Sequence, residues 1–401
     1  MNISKKQINI YTAVVFGAMF FMCMSNNIVG PLLGDIMQYY TIRLDGGGLM
    51  SMYQSIGGTA AIILFSFIID KLNKTIAFIV PMLFVALSLL LIGTAPPYAV
   101  FMLLFLFFGI SLSTLDMTGN AIVPDVQQEK CSSALSLMHG TASIGAVAAP
   151  LIAGGITEAG LPWQSVYTAV GFFMLFLLAV YILASLYART SLKTIKTVHL
   201  KSRQKGEAGK FITDKKVWAA ILSTLMFGGF QSGIVVWVAQ YFKEALGSGQ
   251  LAAGFGLTAY WLGTGIVRLL FGFTPLQKLQ ARPVNICGCI ASGVVLAAGM
   301  LTGNYGIMLA CVFVSGALNA PMLPRTMGLV SSWYPKSSGL SSSAIFGALY
   351  LAYAFFPLLM GSLAYAWGIH MLMIAPAVFT MLSGAIALLL PKENNGMSLT
   401  R

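Results

Sequence analysis

Charged side chains are scarce in this sequence. Only 8% of its 401 residues are Asp, Glu, Lys or Arg, whereas hydrophobic residues make up 58% and the mean hydropathy is +0.84. Soluble domains carry roughly 25% charged residues. A composition so poor in charge excludes a soluble globular protein and predicts an integral membrane protein.

Cysteine and histidine are also scarce, with five and three copies. Their spacing forms neither a disulfide framework nor a metal site. The sequence also lacks a P-loop Gly-Lys-Ser/Thr, a His-Glu-x-x-His and a Gly-x-Ser-x-Gly motif. Because these motifs supply nucleotide binding and the common hydrolase sites, we expect neither an enzyme nor a bound cofactor or metal.

The chain does contain twelve long apolar blocks. Each is close to the roughly 20 residues that a helix needs to cross the hydrocarbon core of a membrane. We therefore predict an all-α integral membrane protein with twelve transmembrane helices. The predicted spans, numbered in chain order, cover residues 10–31, 49–69, 76–95, 98–123, 134–156, 164–187, 217–241, 250–273, 284–302, 305–329, 338–364 and 367–390.

The last six blocks repeat the pattern of the first six. Five residues of the first half recur 207 positions later, and Gly57 recurs 206 positions later as Gly263. A two-fold repeat of six spans is the plan of secondary transporters that move two halves about a central site. We predict six-helix bundles at residues 1–187 and 217–401. The five pairs are Gly109 and Gly316, Gly140 and Gly347, Pro150 and Pro357, Leu151 and Leu358, and Gly154 and Gly361.

A polar segment joins the two predicted bundles. Residues 188–216 contain nine Lys or Arg against two acids, which indicates a basic cytoplasmic linker. With the N-terminus inside, nineteen basic residues lie on the inner side, two on the outer side and two within spans. This bias predicts that both termini are cytoplasmic. We expect a monomer in the plasma or inner membrane. The net charge of +12 is then explained by membrane orientation and by attraction to anionic lipid, and we expect no binding of nucleic acid.

The segment between spans 2 and 3 carries a family signature. Residues 66–74 read Ser-Phe-Ile-Ile-Asp-Lys-Leu-Asn-Lys, which resembles the Gly-x-x-x-Asp-Arg/Lys-x-Gly-Arg/Lys loop of the major facilitator superfamily. Serine and asparagine replace its two glycines. The resemblance implies the major facilitator fold, with two pseudo-symmetric six-helix bundles, and a conformational latch. The implied latch residues are Asp70, Lys71, Lys74 and, in the repeat, Arg268, for which a structural role is the stronger alternative.

Three further segments resemble the fucose-permease-like sugar:proton symporters of that superfamily. They are residues 116–120 (Asp-Met-Thr-Gly-Asn), residues 137–150, which begin Leu-Met-His-Gly and end in Pro, and residues 320–324 (Ala-Pro-Met-Leu-Pro). Asn26-Asn27 stands where the resemblance places Asn-Asp, so one of the family's two proton-handling carboxylates is missing. Arg325 stands where a neutral residue is usual, so the substrate need be neither fucose nor neutral.

Two titratable residues are candidates for proton coupling. Asp116 is the only acid deep within a span, and an intramembrane acid is a functional residue by default. The alternative is a structural partner for an arginine or a hydroxyl. His139, early in span 5, is the second candidate because imidazole titrates near neutral pH. A hydrogen-bonded packing role fits His139 equally well.

Arg325 has three possible roles. It corresponds in the repeat to Thr118, two residues beyond Asp116, and spans 4 and 10 face each other across the cavity in this superfamily. Arg325 then either pairs with Asp116, holds an anionic substrate group, or extends to the inner surface.

Neutral polar and aromatic side chains supply further recognition candidates. Amides both donate and accept hydrogen bonds, which suits sugar hydroxyls, and indole rings can stack on a sugar face. Individually, each of these residues is more often a packing residue. The substrate-binding candidates are Asn26, Asn27, Gln54, Asn120, Gln231, Trp237, Trp261, Asn319 and Arg325.

Small residues in span 5 favour a competing interpretation. Gly145, Ala149-Pro150 and Ala153-Gly154 resemble the Gly-x-x-x-Gly-Pro-x-x-Gly-Gly pattern of proton-driven drug antiporters. Our preferred prediction is proton-coupled uptake of a sugar or sugar-derived acid by alternating access. The alternative is proton-driven efflux. In either case the expected partners are a small-molecule substrate, a proton and the lipid bilayer.

Overall fold

The structure, a computed structural model, describes residues 5–65, 74–127, 131–194, 208–273, 279–334 and 338–391. These residues form seventeen α-helices. Their bounds are α1 Lys5–Asn27, α2 Val29–Tyr39, α3 Leu44–Gly47, α4 Leu49–Phe65, α5 Lys74–Gly93, α6 Tyr98–Gln127, α7 Cys131–Glu158, α8 Trp163–Tyr187, α9 Arg189–Thr194, α10 Ala208–Thr213, α11 Lys215–Glu244, α12 Gln250–Phe273, α13 Ala281–Leu301, α14 Tyr305–Asn319, α15 Met322–Trp333, α16 Ser338–Trp367 and α17 Met371–Ala387.

The predicted spans coincide with these helices. Among the residues that the structure describes, ten helical stretches are long and apolar enough to cross a membrane, and α17 is a shorter apolar helix. The 24-residue α12 covers predicted span 8. Helices are expected here because lipid offers no hydrogen-bond partners to the backbone, so each segment must satisfy its own N–H and C=O groups. The all-helical membrane fold predicted from the sequence is confirmed.

Two of the predicted spans are interrupted by proline. Span 1 consists of α1 and α2, which meet at Ile28, and span 10 consists of α14 and α15. Proline has no N–H, so Pro31 cannot bond the carbonyl of Asn27 and Pro324 cannot bond that of Ala320. The breaks fall at these carbonyls, and Asn27 and Asn319 are the last residues of α1 and α14.

The helices form two compact units. Unit 1 comprises residues 1–40 and 49–201, and unit 2 comprises residues 41–48 and 202–401, as far as they are described. The short helix α3 thus belongs to unit 2, although it precedes span 2 in the sequence. Its backbone lies against α16, where the carbonyl of Leu44 contacts Gly361.

The internal repeat is visible in helix positions and in helix contacts. Helix α6 begins at Tyr98, and α14 begins 207 residues later, at Tyr305. Each unit also contains one close crossing made by a pair of glycines. The glycine pairs are Gly57 and Gly109 in unit 1, on α4 and α6, and Gly263 and Gly316 in unit 2, on α12 and α14.

At both crossings the glycines lie against backbone carbonyls of the opposite helix. A Cβ at Gly109 would overlap the carbonyl of Gln54, and a Cβ at Gly316 would lie 2.5 Å from the carbonyl oxygen of Tyr260. Gln54 and Tyr260 are themselves separated by 206 residues, so the two contacts are repeat equivalents. Glycine is needed at these positions because the helices approach too closely for any side chain.

Both described ends of the predicted linker pack on the unit that they adjoin. In unit 1, the Ser191 hydroxyl donates to Gln7 Oε1 of α1 at 2.6 Å. In unit 2, Phe211 of α10 is 3% exposed in an apolar cluster with α11, α13 and α15. The Tyr334 hydroxyl donates to Asp214 Oδ2 at 2.9 Å, which fixes the start of α11.

Candidate functional site

Asp116 lies on α6 of unit 1, and its carboxylate is bonded to the side chain one helical turn later. Asn120 Nδ2 donates to Asp116 Oδ1 at 3.0 Å and to the Asp116 backbone carbonyl at 2.9 Å. Residues four apart lie on the same face of a helix. The Asp-x-x-x-Asn spacing therefore places both side chains on one side of α6.

His139 on α7 completes a hydrogen-bonded chain. Its Nε2 lies 3.1 Å from Asn120 Oδ1. Because the amide nitrogen of Asn120 is directed at Asp116, its oxygen faces the ring, and this arrangement assigns the proton to His139 Nε2. Asp116 also lies close enough to His139 for a direct electrostatic interaction. The two residues predicted for proton coupling thus meet through Asn120.

The three hydrogen-bonded residues differ in their exposure. Asp116 and Asn120 are half-buried, whereas His139 is exposed. The carboxylate therefore has one amide donor and partial access to its surroundings, and the imidazole Nδ1 points away from the amide bond. Asn120, predicted as a substrate ligand, uses both ends of its amide within this chain, so we assign it a bridging role.

A pair of amides lies elsewhere in unit 1. Gln54 Nε2 on α4 donates to Asn26 Oδ1 on α1 at 2.5 Å, and both side chains are half-buried. Asn27 is 1% exposed, and its Nδ2 donates to the carbonyl of Cys23 at 2.8 Å. The structure thus brings Asn26 and Gln54 together and directs Asn27 back onto its own helix.

Two of the predicted substrate ligands in unit 2 are interior packing residues. Trp237 is fully buried, and its Nε1 donates to the carbonyl of Pro357 at 3.0 Å. Asn319 is 1% exposed; its Nδ2 donates to Ser292 Oγ at 2.6 Å, and its Oδ1 accepts from Thr380 Oγ1 at 3.2 Å. Their polar groups are satisfied by neighbouring helices, so neither side chain is available to a ligand in this structure.

Gln231 and Trp261 lie near one another on α11 and α12. Gln231 is 5% exposed and interacts with the hydroxyl of Tyr260, whose ring packs against Trp261 at 5.2 Å between centroids. Trp261 itself is half-buried. Trp261 is therefore more accessible to a stacking substrate than Trp237, which is fully buried.

The two arginines of the predicted spans bond to backbone carbonyls at helix ends. Arg325 on α15 is 9% exposed, and its Nη1 donates to the carbonyl of Leu279, which precedes α13, at 2.7 Å. Arg268 Nε donates to the carbonyl of Ala320 at 3.3 Å. Both contacts tie the α14–α15 region to adjoining segments of unit 2, and the Leu279 contact brings Arg325 to the loop before α13.

The predicted latch is only partly within the described residues. Asp70 and Lys71 lie outside them. Lys74 Nζ pairs with Asp125 Oδ2 at 2.6 Å, with both side chains 15% exposed, and so links the start of α5 to the end of α6. The sequence analysis did not identify Asp125. The sequence shows an acid just after predicted span 4, which marks Asp125 as a candidate. It does not show that Asp125 pairs with Lys74, because that contact depends on how α5 packs on α6.

The sequence analysis also missed a neutral polar network inside unit 2. Ser292 Oγ and Ser315 Oγ are 2.5 Å apart, Asn319 bonds Ser292, and Thr380 donates to the carbonyl of Cys289 at 3.1 Å. All of these hydroxyl and amide groups are buried. The network joins α13, α14 and α17 through neutral hydroxyl and amide groups.

Comparisons with known proteins agree with the fold. The structure is similar to that of a bacterial homologue of the human lysosomal transporter Spinster, inward-facing and occupied, with a TM-score of 0.77, 14% identity, and coverage of 96% of this chain and 97% of that one. The same homologue unoccupied gives a TM-score of 0.70 at 14% identity, with the same coverage. A mutant of the nucleoside transporter NupG gives 0.75 at 12% identity, with 95% and 100% covered.

No curated protein sequence matches this chain. The model of the Major Facilitator Superfamily matches residues 15–259 and 232–399, and together these segments cover nearly all of the sequence. The chain therefore belongs to the Major Facilitator Superfamily and is a multi-pass membrane transporter.

Proposed function

We propose that this transporter couples the uptake of a sugar or sugar-derived acid to the entry of a proton. The observation that carries the proposal is the chain from Asp116 through Asn120 to His139. A carboxyl group in a membrane span is costly to keep ionised, and such residues mark proton pathways in transporters. Binding and release of one proton at Asp116 is the coupling step.

The three residues have separate roles in that step. Asp116 is the group that gains and loses the proton. When Asp116 is ionised, the nearby His139 stabilises the carboxylate electrostatically. Asn120 holds the two groups at a fixed separation, because its amide donates to one and accepts from the other. Protonation of Asp116 then removes this interaction and biases the equilibrium between transport states.

The proposed substrate class rests on the amides. Asn26 and Gln54 lie together on α1 and α4 with their side chains half-buried. A sugar hydroxyl can replace their mutual hydrogen bond without leaving either amide unsatisfied. An amphipathic drug without hydrogen-bonding groups would leave the mutual bond of these amides in place and gain no hydrogen bond from them. This difference favours sugar uptake over the alternative of drug efflux.

The proposal includes orientation and assembly. We propose that both termini are cytoplasmic and that the protein lies in the plasma or inner membrane; the excess of basic residues predicted on the inner side supports this orientation. The functional division is an N-terminal bundle, a basic linker and a C-terminal bundle, and the transporter acts as a monomer without cofactor. Alternating access of the two bundles exposes the substrate to either side in turn.

A thermal-shift screen of the purified protein tests the substrate class. A ligand that binds the folded state raises apparent stability by mass action. Sugars, sugar acids, nucleosides and lipophilic cations would be compared at equal concentration, with Gln54→Leu as the matched variant. We expect stabilisation by a sugar or sugar acid that is lost in Gln54→Leu. Stabilisation by lipophilic cations alone, equal in both proteins, would contradict uptake of a sugar.

A further inference from the structure

The start of α11 and the short helix α10 before it present an exposed surface of basic, aromatic and aliphatic side chains. Phe211 and Val217 of this segment are buried in the apolar cluster of unit 2 and anchor it there. The side chains that remain exposed form what we call the α10–α11 surface. They are Lys210, Ile212, Lys215, Lys216, Trp218 and Leu222.

Hydrogen bonds hold this segment in one arrangement. Trp218 Nε1 donates to the carbonyl of Ile212 at 2.7 Å, which ties α11 to α10. Asp214 caps α11 by accepting from the backbone N–H of Lys216 at 2.9 Å, and its carboxylate also accepts from the Tyr334 hydroxyl. The lysines therefore extend from a fixed backbone, and a preformed surface loses less conformational freedom when it binds a ligand.

The exposed face of α11 changes from basic to aromatic to aliphatic within two turns. Lys215, Trp218 and Leu222 are separated by three and four residues, spacings that return to one face of an α-helix. At about 1.5 Å per residue, Lys215 lies roughly 10 Å before Leu222 along the axis. A bilayer has the same order, because tryptophan is enriched at the interface between the charged headgroups and the hydrocarbon. Since α11 is long and apolar enough to cross a membrane, this order places Lys215 at the level of the headgroups.

The α10–α11 surface has a net positive charge. Residues 208–222 contain three lysines against one acid, which gives a net charge of +2. Basic side chains beside a membrane attract anionic headgroups, whereas a zwitterionic headgroup offers them no net charge. Each lysine ammonium group also has three N–H donors, which suit the oxygens of a phosphate. Charge and hydrogen bonding therefore both fit a phosphate group.

We infer that the α10–α11 surface binds the headgroup of an anionic phospholipid. The ammonium groups of the lysines hold the lipid phosphate. Because the N–H of Trp218 is bonded to Ile212, the indole contributes its ring, which packs on the glycerol region, while Leu222 contacts the acyl chains. The inference requires only that α11 spans the membrane, so it stands independently of the proposed substrate and of proton coupling.

The first helix of unit 1 provides an internal comparison. Helix α1 also begins with two exposed lysines, Lys5 and Lys6. The first aromatic ring that follows them, Tyr11, is buried, and its hydroxyl lies 2.6 Å from that of Tyr181. The start of α1 thus has lysines without an exposed ring beside them. We expect it to bind anionic lipid less tightly than the α10–α11 surface.

Quenching of tryptophan fluorescence by brominated lipid tests the inference. The protein is placed in phosphatidylcholine vesicles that contain the same mole fraction of either brominated phosphatidylglycerol or brominated phosphatidylcholine. The difference in fluorescence between the wild type and Trp218→Phe isolates Trp218 among the six tryptophans. We expect brominated phosphatidylglycerol to quench Trp218 about twofold more than brominated phosphatidylcholine, because the lysines enrich anionic lipid at this surface. Equal quenching by the two lipids would overturn the inference.

Paired lysine variants separate this site from general surface charge. Lys215→Gln/Lys216→Gln should abolish the excess quenching by phosphatidylglycerol, and an excess that persists in this variant would contradict the site. Lys5→Gln/Lys6→Gln removes the same charge from α1 and should retain the excess. Its loss in both variants would indicate attraction by charge alone and overturn the site. Inorganic phosphate, added at the concentration of the lipid, should leave the excess unchanged; its loss would assign the surface to free phosphate and overturn the lipid assignment.

Discussion

The two units share a scaffold but differ in the chemistry of their interiors. The glycine crossings of α4 with α6 and of α12 with α14 are repeat equivalents, down to the carbonyls that they contact. Yet the three hydrogen-bonded residues to which we assign proton coupling in unit 1 are apolar in unit 2. At the offset of 207 residues, Asp116, Asn120 and His139 correspond to Leu323, Met327 and Phe346.

Conversely, the polar residues inside unit 2 have apolar equivalents in unit 1. Ser292, Ser315 and Asn319 form the neutral network of unit 2, and their unit 1 equivalents are Val85, Phe108 and Leu112. Backbone geometry was retained in both halves because close helix contacts tolerate no side chain. Interior polar residues are free to differ. In our account the chemistry of coupling lies in unit 1, and the polar network of unit 2 contributes rigidity.

The largest expected effect is the loss of coupling in Asp116→Asn. For one proton per substrate, a pH difference of one unit stores about 1.4 kcal/mol and supports about tenfold accumulation. In proteoliposomes with this pH difference, we expect the wild type to approach tenfold accumulation of substrate. Asp116→Asn should not accumulate substrate, although it should still exchange substrate across the membrane. The repeat-equivalent change, Leu323→Asn, is the control and should accumulate substrate normally. Accumulation by Asp116→Asn would remove this carboxyl from the mechanism.

The glycine crossings of both units should be destabilised by an added methyl group. A methyl group at Gly109 or Gly316 overlaps a backbone carbonyl, and overpacking of this kind costs about 1–3 kcal/mol. Gly109→Ala and Gly316→Ala should therefore both lower the apparent Tm, and Gly109→Ala should lower it more, because its Cβ would lie closer to the carbonyl oxygen. Gly140→Ala and Gly347→Ala are the matched control pair, because a Cβ there meets nothing within 4 Å. Similar Tm values for all four variants would refute the shared scaffold.

The neutral network of unit 2 should affect stability and leave coupling intact. Asn319→Leu places the unit 1 residue at the equivalent position and leaves the hydroxyls of Ser292 and Thr380 without their amide partner, at a cost of about 1–3 kcal/mol. We expect a lower Tm with an unchanged accumulation ratio per unit of pH difference. An altered ratio at unchanged stability would show that unit 2 takes part in coupling.

The smallest effect is expected at Arg325. Because its guanidinium bonds the carbonyl of Leu279, Arg325→Gln should lower stability by about 1 kcal/mol and leave the preference between neutral and acidic substrates unchanged. Thermal unfolding and competition with a sugar acid measure the two quantities. Loss of acidic-substrate binding, retained in Arg325→Lys, would instead assign Arg325 to the substrate. Recovery of Arg325→Gln by added Asp116→Asn would indicate an ion pair.

Much of the fold was predictable, because hydrophobic spans and glycine spacing are local properties of the sequence. The Asp116–Asn120 bond could also be predicted from the sequence, since the two residues are one helical turn apart. The bond from Asn120 to His139 was not, because it depends on the register of α6 against α7. The burial of Trp237 and Asn319 was missed for a similar reason: composition identifies a polar or aromatic residue in a span but not the helix that it faces.

Infrared difference spectroscopy of carboxyl protonation tests the central claim most directly, because it requires no substrate. A protonated carboxylic acid in the membrane gives a C=O stretch distinct from the carboxylate bands, and titrating the pH should make this band appear and disappear in the wild type. Our account predicts that the band is absent from Asp116→Asn and unchanged in Leu323→Asn. Persistence of the titrating band in Asp116→Asn would contradict the assignment of proton coupling to unit 1.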